Sequence, residues 1–240
     1  MNILVIGAGG VGASMASIAE TRSFFTQFVL ADISLSRAEE AIALLDDRSK
    51  FVAEQVDARD MGAIKALIQK VKADVVVNAC DPRMNEPIFN AAFEAHCNYI
   101  DMAMNLSEPH ASNPYEEVGS PLGADQLAAD QAWRDRGLLA LVGMGVEPGL
   151  SDVFARYAAD NLFDTIDEIG VRDGSNLSID GLDFAPTFSI WTTIEECLNP
   201  PIVWEKNRGL YTTDCFSEPE VFHFPAGIGP YECVNVEHEE

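Results

Sequence analysis

The chain has 240 residues, 48% hydrophobic and 22% charged, enough to bury a core in one domain and part of a second. Its 39 acidic and 15 basic residues leave a formal charge of −24, which repels nucleic acid and anionic membrane and argues against either as a partner. No apolar run reaches a membrane span, no basic secretory leader precedes the first strand, and five cysteines lack CxxC spacing. The expectation is a cytoplasmic protein with reduced thiols and no metal site.

In chain order, Asn2–Ile6 reads as an apolar strand running into G-x-G-x-x-G, with a helix over Val11–Glu20. Gly7 permits a tight strand-to-helix turn, Gly9 lets backbone approach a pyrophosphate, and Gly12 allows the helix to pack close to the strand. Gly10 and Val11 complete the cofactor-binding candidates of this turn. The next strand, Phe28–Ala31, leads to Asp32, 20 residues past Gly12, where a carboxylate can bond the adenosine ribose hydroxyls. Asp32 favours NAD, while Arg37 in the same loop could accommodate the 2′-phosphate of NADP, so the cofactor is NAD or NADP with a lean to NAD.

A helix over Arg37–Leu45 and a strand over Phe51–Gln55 follow. Asp57 stands where an adenine or ribose contact falls, or else joins Asp60 in capping a helix over Met61–Val71. The strand Val75–Asn78 places Asn78 and Ala79 beside the nicotinamide. A helix (Glu86–Ala95), a strand (Tyr99–Asp101), a helix (Ala124–Arg136) and a sixth strand (Leu139–Val142) complete the series. Continuous apolar strands alternating with helices predict a doubly wound parallel sheet, whose ligands bind beyond the carboxyl ends of the strands. Asp32, Asp57, 78–82, Asp101 and 144–148 fall there.

Beyond residue 146 the pattern changes. GLSDVFARYAAD predicts a helix with Ser151 or Asp152 near its cap and Val153, Phe154 and Tyr157 on its apolar face. Segments 165–174, 182–191, 200–206, 209–214 and 220–225 look strand-like, suggesting an antiparallel sheet. The fold class is therefore α/β: a Rossmann domain over 1–146, followed by part of an α+β substrate-binding and dimerisation domain over 147–240. The ending VNVEHEE reads as a C-terminal truncation.

Taken together, GAGGVG, VVVNACDP, NYIDMA, VGMGVEPGLSD, RDG and FSIWTTIEECL resemble the saccharopine dehydrogenase family, which includes lysine dehydrogenases and carboxynorspermidine dehydrogenases. The resemblance implies a homodimeric oxidoreductase that moves a hydride between NAD(P) and a carbon–nitrogen bond of an amino acid or polyamine-type secondary amine, through an imine. It implies that Asp101 contacts substrate, that Asp81 lines the nicotinamide side, and that Met144 and Gly145 present substrate-facing backbone. In saccharopine reductases an arginine follows the F-S-W motif and grips a substrate carboxylate. Here Thr192, Thr193, Glu195 and Glu196 stand instead, which points to an amine-bearing substrate near Thr193 and Glu195. A solvated helix face explains the glutamates equally well, and Arg172 or Arg208 could meet a carboxylate.

The proton that leaves the amine needs an acceptor. Asp101, ending a strand on the binding face, is the first candidate and His238 the second. A dinucleotide-binding module without turnover, or another Rossmann reaction such as homospermidine synthesis, remains the alternative.

Overall fold

Side-chain alternation along the first strand dictates a layer on each face. The computed structural model describes residues 1–174, 178–182 and 190–237, without the side chains of Thr192 and Glu195. Strands β1 (Asn2–Ile6), β2 (Gln27–Asp32), β3 (Phe51–Gln55), β4 (Val75–Asn78), β5 (Asn98–Asp101) and β6 (Ala140–Leu141) form one parallel sheet. Its order is β3-β2-β1-β4-β5-β6. Parallel neighbours require crossovers, supplied by α1 (Gly10–Glu20), α2 (Leu35–Ala43), α3 (Met61–Val71), α4 (Asn85–Glu94), α5 (Ala124–Ala128) and α6 (Asp130–Asp135).

Leu4 and Ile6 point to one face and pack with Ile64 and Ile68 of α3, Phe89 of α4 and Trp133 of α6. Ile3 and Val5 point to the other, against Ala16 of α1, Ala38 and Ile42 of α2, and Phe28. Both faces being covered explains why these strands read as unbroken apolar runs. Burying each of Leu4, Val5 and Ile6, all at most 1% exposed, contributes about 1.5–3 kcal/mol.

Pairing aligns the strand ends: Ile6 stands opposite Ala31 and Asn78, and Asn78 opposite Asp101. The carboxyl ends of β1, β2, β4 and β5 thus share one rim. The sixth strand is shorter than expected, two residues paired only with β5. The helix expected over 124–136 divides at Ala129, whose amide is shared between the Asp125 and Gln126 carbonyls.

The fold divides into two compact units, Met1–Leu106 with Gly123–Leu150, and Ser107–Leu122 with Ser151–Glu240. In the second, helix α7 (Leu150–Asn161) is followed by α8 (Ile190–Leu198) and two antiparallel hairpins, β7 (Ile202–Glu205) with β8 (Gly209–Thr212) and β9 (Glu220–Phe224) with β10 (Gly229–Cys233). The expected strand at 165–174 does not form, and 183–189 lies outside the described residues. Val153, Phe154 and Tyr157, the apolar positions of α7, are exposed. Among the described residues of this unit only Pro200 and Pro201 are buried.

Candidate functional site

The glycine turn closes where β1 meets α1. Gly7 has a φ of 106°, in the region that favours glycine, and its amide donates to the Ala31 carbonyl at 2.8 Å. A Cβ on Gly7 would stand 2.6 Å from the Ala79 carbonyl oxygen, and one on Gly12 would collide with the Gly7 carbonyl. These two glycines hold the turn against β4 and the helix against the turn. Gly9 and Gly10 differ, since a Cβ on either would meet nothing within 4 Å. Gly9 caps α1 without a side-chain hydrogen bond, no acidic residue occupies the first turn, and Val11 is half exposed. The first-turn amides therefore lack a side-chain acceptor and sit at the positive end of the helix dipole, under open ground.

Asp32 is buried, at 6% exposure. One oxygen accepts from the Ala8 amide at 2.9 Å and the other from the Ser34 amide at 3.0 Å. The carboxylate thereby ties the glycine turn to its own loop. Beside it the Ser34 and Ser36 hydroxyls lie 2.9 Å apart, and the Arg37 guanidinium is 3.9 Å from Asp32 and 61% exposed.

Asp57 closes on Arg59, through Nε at 2.9 Å and Nη2 at 2.7 Å, and accepts the Arg59 amide as well. Those bonds hold its carboxyl down at about 2. Capping of α3 falls to Asp60 alone, which accepts from the Ala63 amide at 2.9 Å. Asp81 starts a short 3-10 turn (Pro82–Met84) and pairs with Arg83 at 2.8 Å. Asn78, expected beside the nicotinamide, is 1% exposed. Its Nδ2 donates to Asn85 Oδ1 at 2.6 Å, and its Oδ1 accepts from the Cys80 amide at 3.0 Å. Its side chain acts from within the core, while the Ala79 backbone lies against Gly7.

Asp101 is the main departure from expectation. The first candidate for a proton acceptor is 1% exposed, and both carboxylate oxygens are taken at 2.7 Å, by the Gly143 amide and by Gln126 Nε2. Burial pushes its carboxyl up, opposed by the bonds from Gly143, Gln126 and Tyr99. The geometry is that of a brace under the loop at 143–149. Met144 of that loop is exposed and donates its amide to the Asp101 carbonyl at 2.9 Å. Gly145 lies so close to the Met102 carbonyl that a Cβ would stand 2.5 Å from it.

Sequence reasoning missed Asn85, Tyr99 and Gln126. Gln126 carried one usable signal, a polar residue sharing a helical face with Ala129 and Trp133 at spacings of three and seven.

The structure brings the turn residues, Asp32, Arg37, Asp57, Asn78, Ala79, Asp81, Asp101, Met144 and Gly145 into the first unit. Thr193 and Glu195 belong to α8 of the second unit, with the Glu195 side chain and all of His238 outside the described residues. Arg172, an alternative carboxylate partner, is engaged by Glu220 at 2.6 Å and Glu168 at 3.5 Å. Among the described residues no cluster of histidine, cysteine and carboxylate side chains could hold a metal ion, and no helix is long and apolar enough to cross a membrane.

Open ground over Gly9 and Gly10, uncapped first-turn amides and the hydroxyl and guanidinium groups after β2 together fit a dinucleotide. Comparison with known proteins agrees. Residues 3–141 match the saccharopine dehydrogenase NADP binding domain. Over its whole length the chain is 32% identical to carboxynorspermidine synthase of Vibrio cholerae and 31% identical to that of Vibrio alginolyticus, spanning 58% of each. Over 81% of its length it is 29% identical to carboxyaminopropylagmatine dehydrogenase of Synechocystis, spanning 46% of that protein. The fold of apo saccharopine dehydrogenase (L-Glu forming) from Saccharomyces cerevisiae superposes with a TM-score of 0.64 at 13% identity, over 97% of this chain and 49% of that one.

Proposed function

Since the chain belongs to the saccharopine dehydrogenase family through its NADP-binding domain, we propose that the intact protein is an NADP-dependent oxidoreductase. Its substrate is a polyamine-type secondary amine that also carries a carboxylate, and the first candidate is carboxynorspermidine. The observation that carries this reading is the likeness to carboxynorspermidine synthases over the full length of the chain. The formal charge of −24 supports a cationic substrate, because an acidic surface raises the local concentration of amines.

NADP is preferred over NAD, against the lean of the sequence. The carboxylate that would bond the ribose hydroxyls is engaged by the Ala8 and Ser34 amides, while Ser34, Ser36 and exposed Arg37 offer donors suited to a phosphate. When bound, the dinucleotide supplies or accepts the hydride at the carbon next to nitrogen, and the substrate passes through an imine. The chain's own residues do the holding. First-turn amides of α1 receive the pyrophosphate, Asp32 keeps the turn closed, and the loops after β4, β5 and β6 flank the substrate. The exposed apolar side chains of the second unit, Phe154 and Trp204 among them, support a dimer contact there. Light scattering on the intact protein, expressed in the cytoplasm, tests the dimer.

The central experiment follows NADPH formation by the intact protein with carboxynorspermidine, saccharopine and lysine offered separately, each with NADP and with NAD. Turnover of carboxynorspermidine with NADP is expected. Cofactor binding without turnover of any of the three would replace this reading with that of a non-catalytic dinucleotide module.

A further inference from the structure

A buried run of polar side chains crosses the carboxyl ends of β4, β5 and β6. Asn105 donates its amide to Gln126 Oε1 at 2.7 Å, Gln126 Nε2 donates to Asp101 Oδ2 at 2.7 Å, and Asp101 Oδ1 accepts from the Gly143 amide at 2.7 Å. A branch runs alongside, in which Asn78 donates to Asn85 and Asn85 Nδ2 donates to the Ala103 carbonyl at 2.7 Å. Three loops are joined by side chains that start on β4, β5, α4 and α5.

We propose that Asp101 and Gln126 are positioning residues, a two-part clamp that sets the 143–149 loop against the 102–105 segment at the substrate end of the sheet, and that Asp101 exchanges no proton with substrate. The proposal rests on the substrate reading above only in where the clamp acts.

Exposure is the first argument. Asp101 is 1% and Gln126 4% exposed, so neither offers a surface to a ligand. Directionality is the second, because a proton acceptor needs an oxygen aimed at the substrate, and here each oxygen is aimed at a donor on a different element. The third is the absence of a countercharge in these contacts: an amide N–H, a carboxamide and the Tyr99 hydroxyl hold the carboxylate, neutral donors that order their own elements. The two segments it ties are already in close contact, with Gly145 against the Met102 carbonyl and Gly143 at a φ of 64°.

A charge relocation separates the clamp from a reacting carboxylate. Asp101→Asn sets two NH2 groups against each other, or else turns Gln126 so that its NH2 faces the Asn105 amide. Gln126→Glu sets two carboxylates against each other. The double variant rebuilds all three bonds: the new amide oxygen at 101 accepts from Gly143, its NH2 donates to the carboxylate at 126, and that carboxylate accepts from Asn105. The formal charge moves one residue along the network while each of these three donors meets an acceptor.

In the intact protein, turnover of carboxynorspermidine with NADP, affinity for 2′,5′-ADP, and hydrogen-exchange protection of the Gly143 and Asn105 amides are measured for the wild type and the three variants. Each single change is expected to lower kcat by about 100-fold, as for a misplacement near 1 Å, with loss of protection at both amides. Affinity for 2′,5′-ADP, which reports the turn and the loop after β2, stays within about 2-fold in the same proteins. The double variant is expected to regain protection and most of kcat. Regained protection without regained kcat would overturn the proposal and make Asp101 a group that meets substrate. Should a single variant fail to fold, the double variant alone carries this contrast. Should the wild type not turn over carboxynorspermidine, the substrate reading fails, while protection still decides the clamp: amides unprotected in the double variant would refute it.

Discussion

Of the three spaced glycines in the turn, Gly9 and Gly12 make opposite demands on a methyl group, and exchanging each for alanine separates binding from folding. Gly9 has φ −76° and ψ −162°, which alanine adopts freely, and a Cβ there meets nothing within 4 Å. Alanine is the poorer helix cap, at about 0.5–1 kcal/mol, while the reduced freedom of the unfolded chain returns about 0.4–1 kcal/mol. Gly9→Ala should therefore change unfolding stability by less than about 0.5 kcal/mol. The methyl would occupy the ground over the first-turn amides, so the dissociation constant for NADP should rise by about 10- to 100-fold, or about 1.4–2.8 kcal/mol. Gly12→Ala drives its methyl into the Gly7 carbonyl, which cannot swing away as a side chain could, and should cost about 1–3 kcal/mol of stability as well as binding. Urea denaturation gives the first quantity and calorimetric titration with NADP the second. A Gly9→Ala protein that binds NADP within 2-fold of wild type, or that loses more than about 1.5 kcal/mol of stability, would refute the assignment of that open ground to the cofactor.

Three other perturbations test separate parts of the molecule. Trp133 is 3% exposed and packs on Phe89 with ring centroids 4.8 Å apart, so Trp133→Ala should cost about 3–5 kcal/mol by chemical denaturation; a loss under about 1 kcal/mol would contradict the packing. Burial pushes the Cys80 and Cys97 thiols up to about 12, so neither should be alkylated at neutral pH until the protein unfolds. Because the folded state holds these protons more tightly, their contribution to stability is complete below the ordinary thiol range near 9 and is lost as pH rises towards 12; stability rising over that interval in a Cys-intact protein relative to a double Cys→Ser variant would contradict the sign. Arg37→Ala should raise KM for NADP by about 10-fold or more and leave KM for NAD unchanged, whereas equal effects on both cofactors would remove Arg37 from phosphate recognition.

The first unit was legible because its strands are covered on both faces. Unbroken apolar runs such as ILVI and VVV mark the central strands, and β1, β3, β4 and α3 have the bounds expected for them. Asp32 and Asp101 stood out as acids ending apolar strands, yet their partners did not, because Ala8 is 24 residues from Asp32 and Gly143 is 42 from Asp101. Local pattern carries no record of such pairings, so a carboxylate that braces loops looks the same in sequence as one that takes a proton. The second unit was harder for a related reason. Apolar residues at helical spacing imply a covered face, but Val153, Phe154 and Tyr157 are exposed, so their spacing foretold the helix and not its surroundings. Near 165–174, apolar residues punctuated by Asp and Gly suggested a strand, but among the described residues no strand pairs with them and none forms there.

The Rossmann unit is not continuous in sequence, since Ser107–Leu122 counts with the other unit and the remaining strand and helices resume at Gly123. A nascent chain emerging from the ribosome has β1 to β5 available well before Gln126 and Gly143. Until those residues follow, Asp101 lacks both of the donors that lie beyond β5, and β5 offers its outer hydrogen-bonding edge to whatever lies nearby. The half-made sheet therefore passes through an interval in which its open edge is adhesive, and chaperone binding during translation should concentrate between the emergence of β5 and that of β6.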